Sequence, residues 1–142
     1  MTFLAQTEAE TIALGRNIGA RLHSGDIIAL QGTLGAGKTT ITKGIAQALG
    51  VQETITSPTF CLISEYEGTM PLYHMDVYRL EGSDDFVNLG VEDMLYGRGV
   101  TLIEWSEKIM DELPQKTIVL RLTPNDDGSR TVTLENWPYG AL

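Results

Sequence analysis

Apolar and polar residues follow one another along the chain in patterns that predict both helices and strands. A nearly all-apolar run at 26–31 predicts a strand that is buried on both faces. Apolar residues then recur at helical spacing across 38–49, which predicts a packed helix. An earlier helix is predicted from Thr7, its N-cap, to about Leu22, because Thr7 and the glutamate three residues later form a capping box.

The rest of the chain is predicted to consist mainly of strands. The runs that predict strands are 60–66, 72–79, 100–104, 117–122 and 131–134. The first two flank a turn and the last two flank a polar turn, so each pair predicts a β-hairpin. A short helix is predicted at 106–113, where a proline follows.

Composition and charge restrict the class of protein. With 142 residues, 42% apolar and 20% charged, the chain is expected to form one domain with a proper core. A net charge of −9 argues against independent binding to nucleic acid, which needs clustered basic residues. The chain shows no signal-peptide layout and no apolar run of about 20 residues, so no membrane span is expected. The single cysteine, Cys61, fits a reducing compartment, and the protein is expected to be cytoplasmic.

Residues 32–39 have the sequence GTLGAGKT, which matches the spacing G-x-x-x-x-G-K-T of a phosphate-binding loop. Its glycines let backbone N–H groups converge on phosphate oxygens, and the following helix adds the positive end of its dipole. Lys38 is placed to reach the β- and γ-phosphates, and the Thr39 hydroxyl is placed to ligate Mg²⁺. The alternative is a chance glycine-rich turn. A strand before the loop and a helix after it favour a nucleoside triphosphatase.

A carboxylate at the end of a second strand is the other part that such an enzyme needs, because it holds Mg²⁺ directly or through water. Glu104, which ends the strand at 100–104, is the predicted carboxylate. On the strand at 72–79, His74 and Asp76 lie two residues apart on the polar face. This face is either solvated or shares a ligand or a water, and we favour Asp76 over His74 as a functional residue.

ATP is the expected nucleotide, because the chain has no Asn-Lys-x-Asp signature for guanine. No carboxylate directly follows Glu104, so Glu107 and Asp76 are the candidate bases for an attacking water. Thr59 is a candidate sensor of the γ-phosphate, and Arg79 is the nearest candidate for an arginine finger. This incomplete set predicts slow hydrolysis that a partner completes or triggers.

These elements predict an α/β fold, a P-loop NTPase three-layer sandwich whose central mixed sheet has parallel core strands and antiparallel hairpins. The parallel strands are expected at 26–31, 100–104 and 117–122, within one domain spanning 1–142. Two other functions remain open. One is a small-molecule kinase, although no arginine-rich lid is apparent, and the other is a module that uses ATP as an assembly switch with incidental turnover.

Four motifs together resemble the TsaE family, formerly YjeE, in order and spacing. They are LGAGKTT at 34–40, SPTF at 57–60, HMDVYR at 74–79 and IEWSE at 103–107. The resemblance implies an ATPase of tRNA threonylcarbamoyladenosine biosynthesis that acts with two partners, TsaB and TsaD. TsaD transfers the threonylcarbamoyl group to adenosine 37 of tRNAs reading codons that begin with A. ATP hydrolysis by TsaE is thought to reset the TsaB–TsaD complex, and the acidic surface suits a protein partner better than tRNA.

The resemblance also implies roles for individual residues. The residues expected to bind ATP are Thr11, Gly35, Ala36, Gly37, Lys38, Thr39, Thr40, Thr59 and Trp105, and those expected to act in catalysis are Lys38, Asp76, Glu104 and Glu107. Thr39 and Glu104 are the expected Mg²⁺ ligands, and Thr59 and Asp76 belong to a switch-like region. Thr33 departs from the family, which usually has an acidic residue at this position.

Overall fold

The computed structural model describes residues 1–33, 35–56 and 63–142. Its strands are β1 (Thr2–Ala5), β2 (Ile27–Gln31), β3 (Ile63–Tyr66), β4 (Leu72–Asp76), β5 (Val100–Glu104), β6 (Ile118–Pro124) and β7 (Arg130–Glu135). Its helices are α1 (Glu8–Gly19), α2 (Lys38–Ala48), α3 (Ser83–Asn88) and α4 (Glu92–Leu95), with 3₁₀ turns at Ser106–Lys108 and Met110–Glu112. Within the described ranges, seven strands form one sheet in the order β1-β7-β6-β2-β5-β4-β3.

The centre of the sheet is parallel and its two sides are antiparallel. β5, β2 and β6 run in the same direction, which confirms the three parallel strands predicted from the sequence. β4 adds a fourth parallel strand that was not predicted as such. Every residue of β2 and β5 is buried, as expected when both faces of a strand are covered. The register places Leu30 beside Glu104, and Glu104 beside Asp76. Both carboxylates therefore lie at the carboxyl edge of the parallel strands.

Two apolar cores cover the two faces of the sheet, so the fold has three layers. One core joins α1 and α2 to the sheet through side chains such as Ile18, Ile41 and Leu30. The other joins the short helices to the opposite face through side chains such as Phe86 and Ile103. Each fully buried side chain of this size contributes about 1.5–3 kcal/mol, so these cores are the main source of stability.

Helices α1 and α2 lie against each other and run in the same direction. A Cβ atom at Gly15 would lie 2.4 Å from the carbonyl oxygen of Ile41, and one at Gly19 would lie 2.7 Å from that of Ile45. The close approach therefore requires glycine on α1. Because the residue numbers on the two helices increase together, both N-termini lie at the same end of the pair. That end is the one where β2 leads into α2.

Three differences between the structure and the sequence predictions, all in its described part, have a clear physical reason. β1 has no counterpart in the prediction, because its four residues acquire a regular environment only by pairing with β7. The strand predicted at 72–79 ends at Asp76, whose Oδ1 accepts a hydrogen bond from the Tyr78 N–H at 2.8 Å and turns the chain. The helix predicted at 106–113 is replaced by the two 3₁₀ turns, since Ile109 leaves helical geometry with φ −135° and ψ 19°.

Some of the predicted features lie outside the described residues. These are Leu34, Thr59, Cys61 and the first residues of the strand predicted at 60–66. The described part of that strand, β3, pairs antiparallel with β4, as the hairpin prediction requires. Among the described helices, none has the length and apolar character needed to cross a membrane.

Candidate functional site

The segment from β2 to α2 forms a strand, a tight loop and a helix. Gly32 has a φ of +151°, and a Cβ atom there would lie 2.7 Å from the carbonyl oxygen of Leu122. Gly37 is the N-cap of α2 and has a left-handed φ of 104°. A larger residue would collide with backbone at the first position and be strained at the second. The glycines thus let the loop lie close to β6 and lead directly into the first turn of α2.

Lys38 is the first residue of α2, and its side chain turns back over the loop. Its ammonium donates a hydrogen bond to the carbonyl oxygen of Gly32 at 2.7 Å. The same ammonium lies 3.5 Å from the centroid of the Trp105 ring, within the range of a cation–π interaction. A phosphate oxygen is a stronger acceptor than a carbonyl, so this cation can exchange its present partner for an anion.

Burial and nearby carboxylates act on Lys38 in opposite directions. Burial lowers the pKa of Lys38, and the negative charges of Glu104, Glu107 and Asp76 raise it in part. Three carboxylates from two separate segments therefore lie close enough to influence one buried cation. Such an arrangement of a desolvated charge with specific charged neighbours is typical of functional sites.

Glu104 and Asp76 differ in their surroundings although they are neighbours in the sheet. Glu104 is only 4% exposed, and its Oε2 lies 2.7 Å from the Nε2 of His74. Asp76 is partly exposed, and its Oδ1 accepts the Tyr78 N–H already described. His74 is itself completely buried. Of the two interpretations of this strand face, solvation is therefore wrong for His74.

The loop, the carboxylates and the start of α1 enclose a cavity of about 530 Å³. The residues that line it are Ala5, Gln6, Thr7, Glu8, Thr11, Gly35, Gly37, Lys38, Thr39, Thr40, Asp76, Glu104, Trp105, Gly128 and Arg130. Of the predicted site residues in the described ranges, Ala36 and Glu107 do not line the cavity. Ala36 is a buried residue of the loop itself, and Glu107 is exposed but close enough for its charge to act on Lys38.

Thr11 reaches the cavity because α1 begins beside it. The Thr7 side chain caps α1 by accepting the Glu10 N–H at 3.1 Å, as the capping box predicts. The Glu10 carboxylate accepts the Gln6 N–H rather than that of Thr7, so the box is displaced by one residue. Thr11 is 2% exposed, and its hydroxyl donates to the Thr7 carbonyl at 3.3 Å. The cavity is thus lined by the N-termini of both long helices, which favour an anion.

Arg130, at the start of β7, is a cavity residue that sequence reasoning missed. Its guanidinium donates to the carbonyl oxygen of Ala36 at 3.0 Å and to that of Gly35 at 3.2 Å. The guanidinium thus ties the β6–β7 turn to the loop between β2 and α2. Arg79, the predicted candidate for an arginine finger, does not line the cavity. The turn sequence before Arg130 predicted a hairpin but gave no signal that the hairpin would reach this loop.

Trp105 occupies a strained conformation at the edge of the cavity. Its φ of 61° and ψ of 32° are left-handed, which is unusual for a bulky residue. Its ring contacts the ring of Tyr78 with a centroid separation of 4.8 Å, and Tyr78 is 55% exposed. The surrounding contacts hold Trp105 in this conformation, so that its ring covers the Lys38 ammonium. Strain of this kind is concentrated at functional sites.

The oxygen donors in the cavity fit Mg²⁺ held together with phosphate. Residues 1–33, 35–56 and 63–142 contain no cluster of three or more His, Cys, Asp or Glu side chains suited to hold a metal alone. The cavity does present the Glu104 and Asp76 carboxylates and the Thr39 hydroxyl. Mg²⁺ is typically bound by one or two carboxylates, waters and substrate phosphates, which is the set that this site can complete.

The chain is similar to known proteins over most of its length. The family model for the threonylcarbamoyl adenosine biosynthesis protein TsaE matches residues 5–132. The chain is 44% identical over 134 residues to the tRNA threonylcarbamoyladenosine biosynthesis protein TsaE of Treponema pallidum, covering 94% of this chain and 99% of that protein. It is 46% identical over 133 residues to the protein of the same name from a Nostoc species, covering 90% and 80%.

A solved crystal structure has a similar fold. The crystal structure of Bacillus subtilis YdiB is similar with a TM-score of 0.80 at 38% identity. The match covers 94% of this chain and 83% of YdiB. The extent of these matches and their level of identity leave one assignment: the chain belongs to the TsaE family of threonylcarbamoyl adenosine biosynthesis proteins.

Proposed function

We propose that this protein is a Mg²⁺-dependent ATPase with a P-loop NTPase fold. We further propose that it acts with TsaB and TsaD in the threonylcarbamoylation of adenosine 37 in tRNAs reading codons that begin with A. One observation carries the ATPase proposal: Lys38, Thr39 and Glu104 line the same cavity at the carboxyl edge of a parallel sheet. Membership of the TsaE family supports the biosynthetic role.

Each of these residues has a defined part in the proposed reaction. The Lys38 ammonium leaves the Gly32 carbonyl and binds the β- and γ-phosphate oxygens. Thr39 and Glu104 would hold Mg²⁺, which would neutralise charge that develops on the phosphates. Asp76 lies beside Glu104 in the sheet and faces the same cavity, so it is the candidate that orients the attacking water.

The same geometry supports slow hydrolysis by the isolated protein as part of this proposal. Asp76 already accepts the Tyr78 N–H, and Glu107 does not line the cavity. The cavity arginine, Arg130, donates to carbonyl oxygens of the loop. A stabilising group supplied by a partner can raise phosphoryl-transfer rates by about 10³–10⁵. In this proposal, TsaB–TsaD resets the arrangement of the site, and ATP hydrolysis in turn resets TsaB–TsaD.

The test is ATP hydrolysis with and without Mg²⁺, first by the protein alone and then with TsaB–TsaD added. We expect slow Mg²⁺-dependent turnover that rises when the partner complex is present. Lys38→Ala serves as the inactive control. A turnover rate that does not change when TsaB–TsaD is added contradicts the partner-dependent part of the proposal. Transfer of the γ-phosphate to a small acceptor would identify a kinase.

An assembly switch is separated from an ATPase by a second experiment. Glu104→Ala is assayed for ATP hydrolysis and for its ability to support tRNA modification together with TsaB–TsaD. The proposal expects both activities to be lost together. Modification that continues without hydrolysis would mean that ATP acts only in assembly.

A further inference from the structure

His74 is a completely buried histidine that the proposed reaction does not use. It lies on β4, and its backbone is paired with Leu102 of β5. Its Nε2 lies 2.7 Å from the Oε2 of Glu104, two residues further along β5. Its other ring nitrogen, Nδ1, has no hydrogen-bond partner within the described part of the chain. His74 does not line the cavity, whereas Glu104 does.

These contacts define which ring nitrogen carries the proton. A carboxylate is an acceptor, so the short contact requires a proton on Nε2. Nδ1, by contrast, has no partner in the described part of the chain. The structure therefore assigns the shared proton to Nε2, with His74 donating to Glu104.

The hydrogen bond from His74 gives the two carboxylate oxygens of Glu104 different roles. Oε2 is engaged by a ring that packing holds in place, because His74 has no solvent exposure. Glu104 lines the cavity, so Oε1 is the oxygen that we assign to a ligand there. A glutamate has three rotatable side-chain bonds, and fixing one oxygen removes most of the remaining freedom of the other. Partners that orient a metal ligand in this way commonly affect metal affinity.

We propose that His74 is a positioning residue that fixes the Glu104 carboxylate with Oε1 towards the cavity, so that Mg²⁺ is bound in one geometry. This inference rests on the proposed role of Glu104 as a metal ligand. His74 neither contacts the metal nor takes part in proton transfer. Its effect is exerted entirely through the oxygen of Glu104 that it binds.

A pair of variants at this position separates the hydrogen bond from the volume of the side chain. In His74→Gln the amide nitrogen can replace Nε2 as the donor, whereas His74→Leu fills space without donating. Binding of Mn²⁺ to the protein–ADP complex is measured by electron paramagnetic resonance, which needs no catalysis. We expect His74→Leu to weaken Mn²⁺ binding by about tenfold and His74→Gln to restore most of it. Binding of ADP without metal should be the same in all variants.

A double variant shows whether the effect passes through Glu104. In the Glu104→Gln background, His74→Leu should cause no further loss of Mn²⁺ affinity, because the oriented carboxylate is already absent. A full additional loss in that background would overturn the inference. So would a folded His74→Leu protein that binds Mn²⁺ as the wild type does while Glu104→Gln does not. If Glu104→Gln itself leaves Mn²⁺ binding unchanged, the metal role in the proposed function fails instead.

Nitrogen NMR of the wild-type protein tests the inference even if His74→Leu does not fold. Long-range proton–nitrogen spectra distinguish the two neutral tautomers and the charged ring. We expect a proton on Nε2 of His74, with a shift that changes in Glu104→Gln. A proton on Nδ1 alone would overturn the proposal, since His74 could not then donate to Glu104.

Discussion

Charged groups lie at both ends of β2, but the surroundings of these groups differ. At the amino end, Asp26 precedes the strand and accepts the Tyr139 hydroxyl at 2.9 Å and 2.7 Å on its two oxygens. It also accepts the His23 N–H at 2.7 Å, and the His23 and Tyr139 rings are in tilted contact with their centroids 4.6 Å apart. At the carboxyl end, the Lys38 ammonium lies in a cavity and is bonded to a backbone carbonyl.

The difference shows how a structural polar cluster can be told from a functional one. Around Asp26, the described groups satisfy one another, so the cluster fixes the C-terminal segment against the start of β2. Around Lys38, a cation and carboxylates face open space, and burial works against the charge that the site needs. A buried cation that faces a cavity together with carboxylates is expected to bind a ligand.

Removal of Lys38 should give the largest functional effect. Lys38→Ala is expected to weaken binding of Mg²⁺–ATP by about 100-fold, because a charge-assisted contact to phosphate is lost. The melting temperature should stay the same or rise, since a buried cation is removed. Isothermal titration calorimetry and thermal unfolding measure the two quantities. Lys43→Ala, on the same helix, is the matched control and should change neither binding nor melting appreciably. Reduced stability with unchanged ATP binding would mean that Lys38 has a structural role and does not bind the ligand.

Removal of the Glu104 carboxylate should affect the metal more than the nucleotide. Glu104→Gln is expected to lower Mg²⁺ affinity of the nucleotide complex by about 10- to 100-fold while metal-free ADP binding is retained. Titration of the ADP complex with Mn²⁺ measures the first quantity. Glu112→Gln, at an exposed position in a 3₁₀ turn, is the control, because it makes the same change in charge. Equal metal affinity in both variants would remove Glu104 from the site.

Most of the structure at the carboxyl end of β2 can be predicted from the sequence, because the residues that form it are contiguous in the chain. The glycine spacing, Lys38 and the helical pattern of α2 lie within one short stretch. Glu104 is predictable for a different reason: the ends of parallel strands meet at one edge of a sheet. The bond from His74 to Glu104 depends on register between β4 and β5, which alternation alone does not determine.

Arg130 and the Asp26 cluster could not be predicted because they join residues far apart in the chain. Arg130 reaches the carbonyl oxygen of Ala36, 94 positions away, and Tyr139 reaches Asp26, 113 positions away. Neither pair is part of a local motif. Such contacts exist only after β6 and β7 have closed the sheet, so no local pattern in the sequence specifies them.

Arg130 gives an intermediate effect, because it acts on the loop and not directly on the proposed ligand. Arg130→Gln is expected to weaken ATP binding by about 5- to 10-fold, as loop carbonyls lose their donor and the loop gains freedom. Arg130→Lys should recover only part of this, since lysine cannot bridge two carbonyls with a planar fork. Arg121→Gln on the adjacent strand is the control. Unchanged affinity in Arg130→Gln would mean that the loop holds its shape unaided.

Asp26 should affect stability and leave ligand binding unchanged. Asp26→Ala removes the acceptor of the Tyr139 hydroxyl and of the His23 N–H, and is expected to lower the free energy of unfolding by about 1–2 kcal/mol. Urea unfolding measures this loss, and calorimetry should show wild-type ATP affinity. Asp126→Ala, an exposed aspartate in the β6–β7 turn, should be neutral in both assays. Loss of ATP binding without loss of stability would place Asp26 in the functional class.

The smallest effect expected is a shift in the ionisation of Tyr139. Burial, the hydrogen bond to Asp26 and the negative charge of Asp26 together raise the pKa of Tyr139 to about 12, from an ordinary value of 10. The unfolded chain then releases this proton first, so between pH 10 and pH 12 stability falls as the pH rises. Below pH 10 the contribution is fully present.

Ultraviolet absorbance of tyrosinate, with circular dichroism at each pH to verify folding, follows this ionisation. The last step of the wild-type titration should disappear in Tyr139→Phe. In Asp26→Asn it should move to lower pH, because the charge of Asp26 is removed while burial remains. If that step stays in place in Asp26→Asn, burial alone sets the pKa of Tyr139. The amino end of β2 would then be stabilised mainly by packing, and the Asp26 carboxylate would contribute little to its stability.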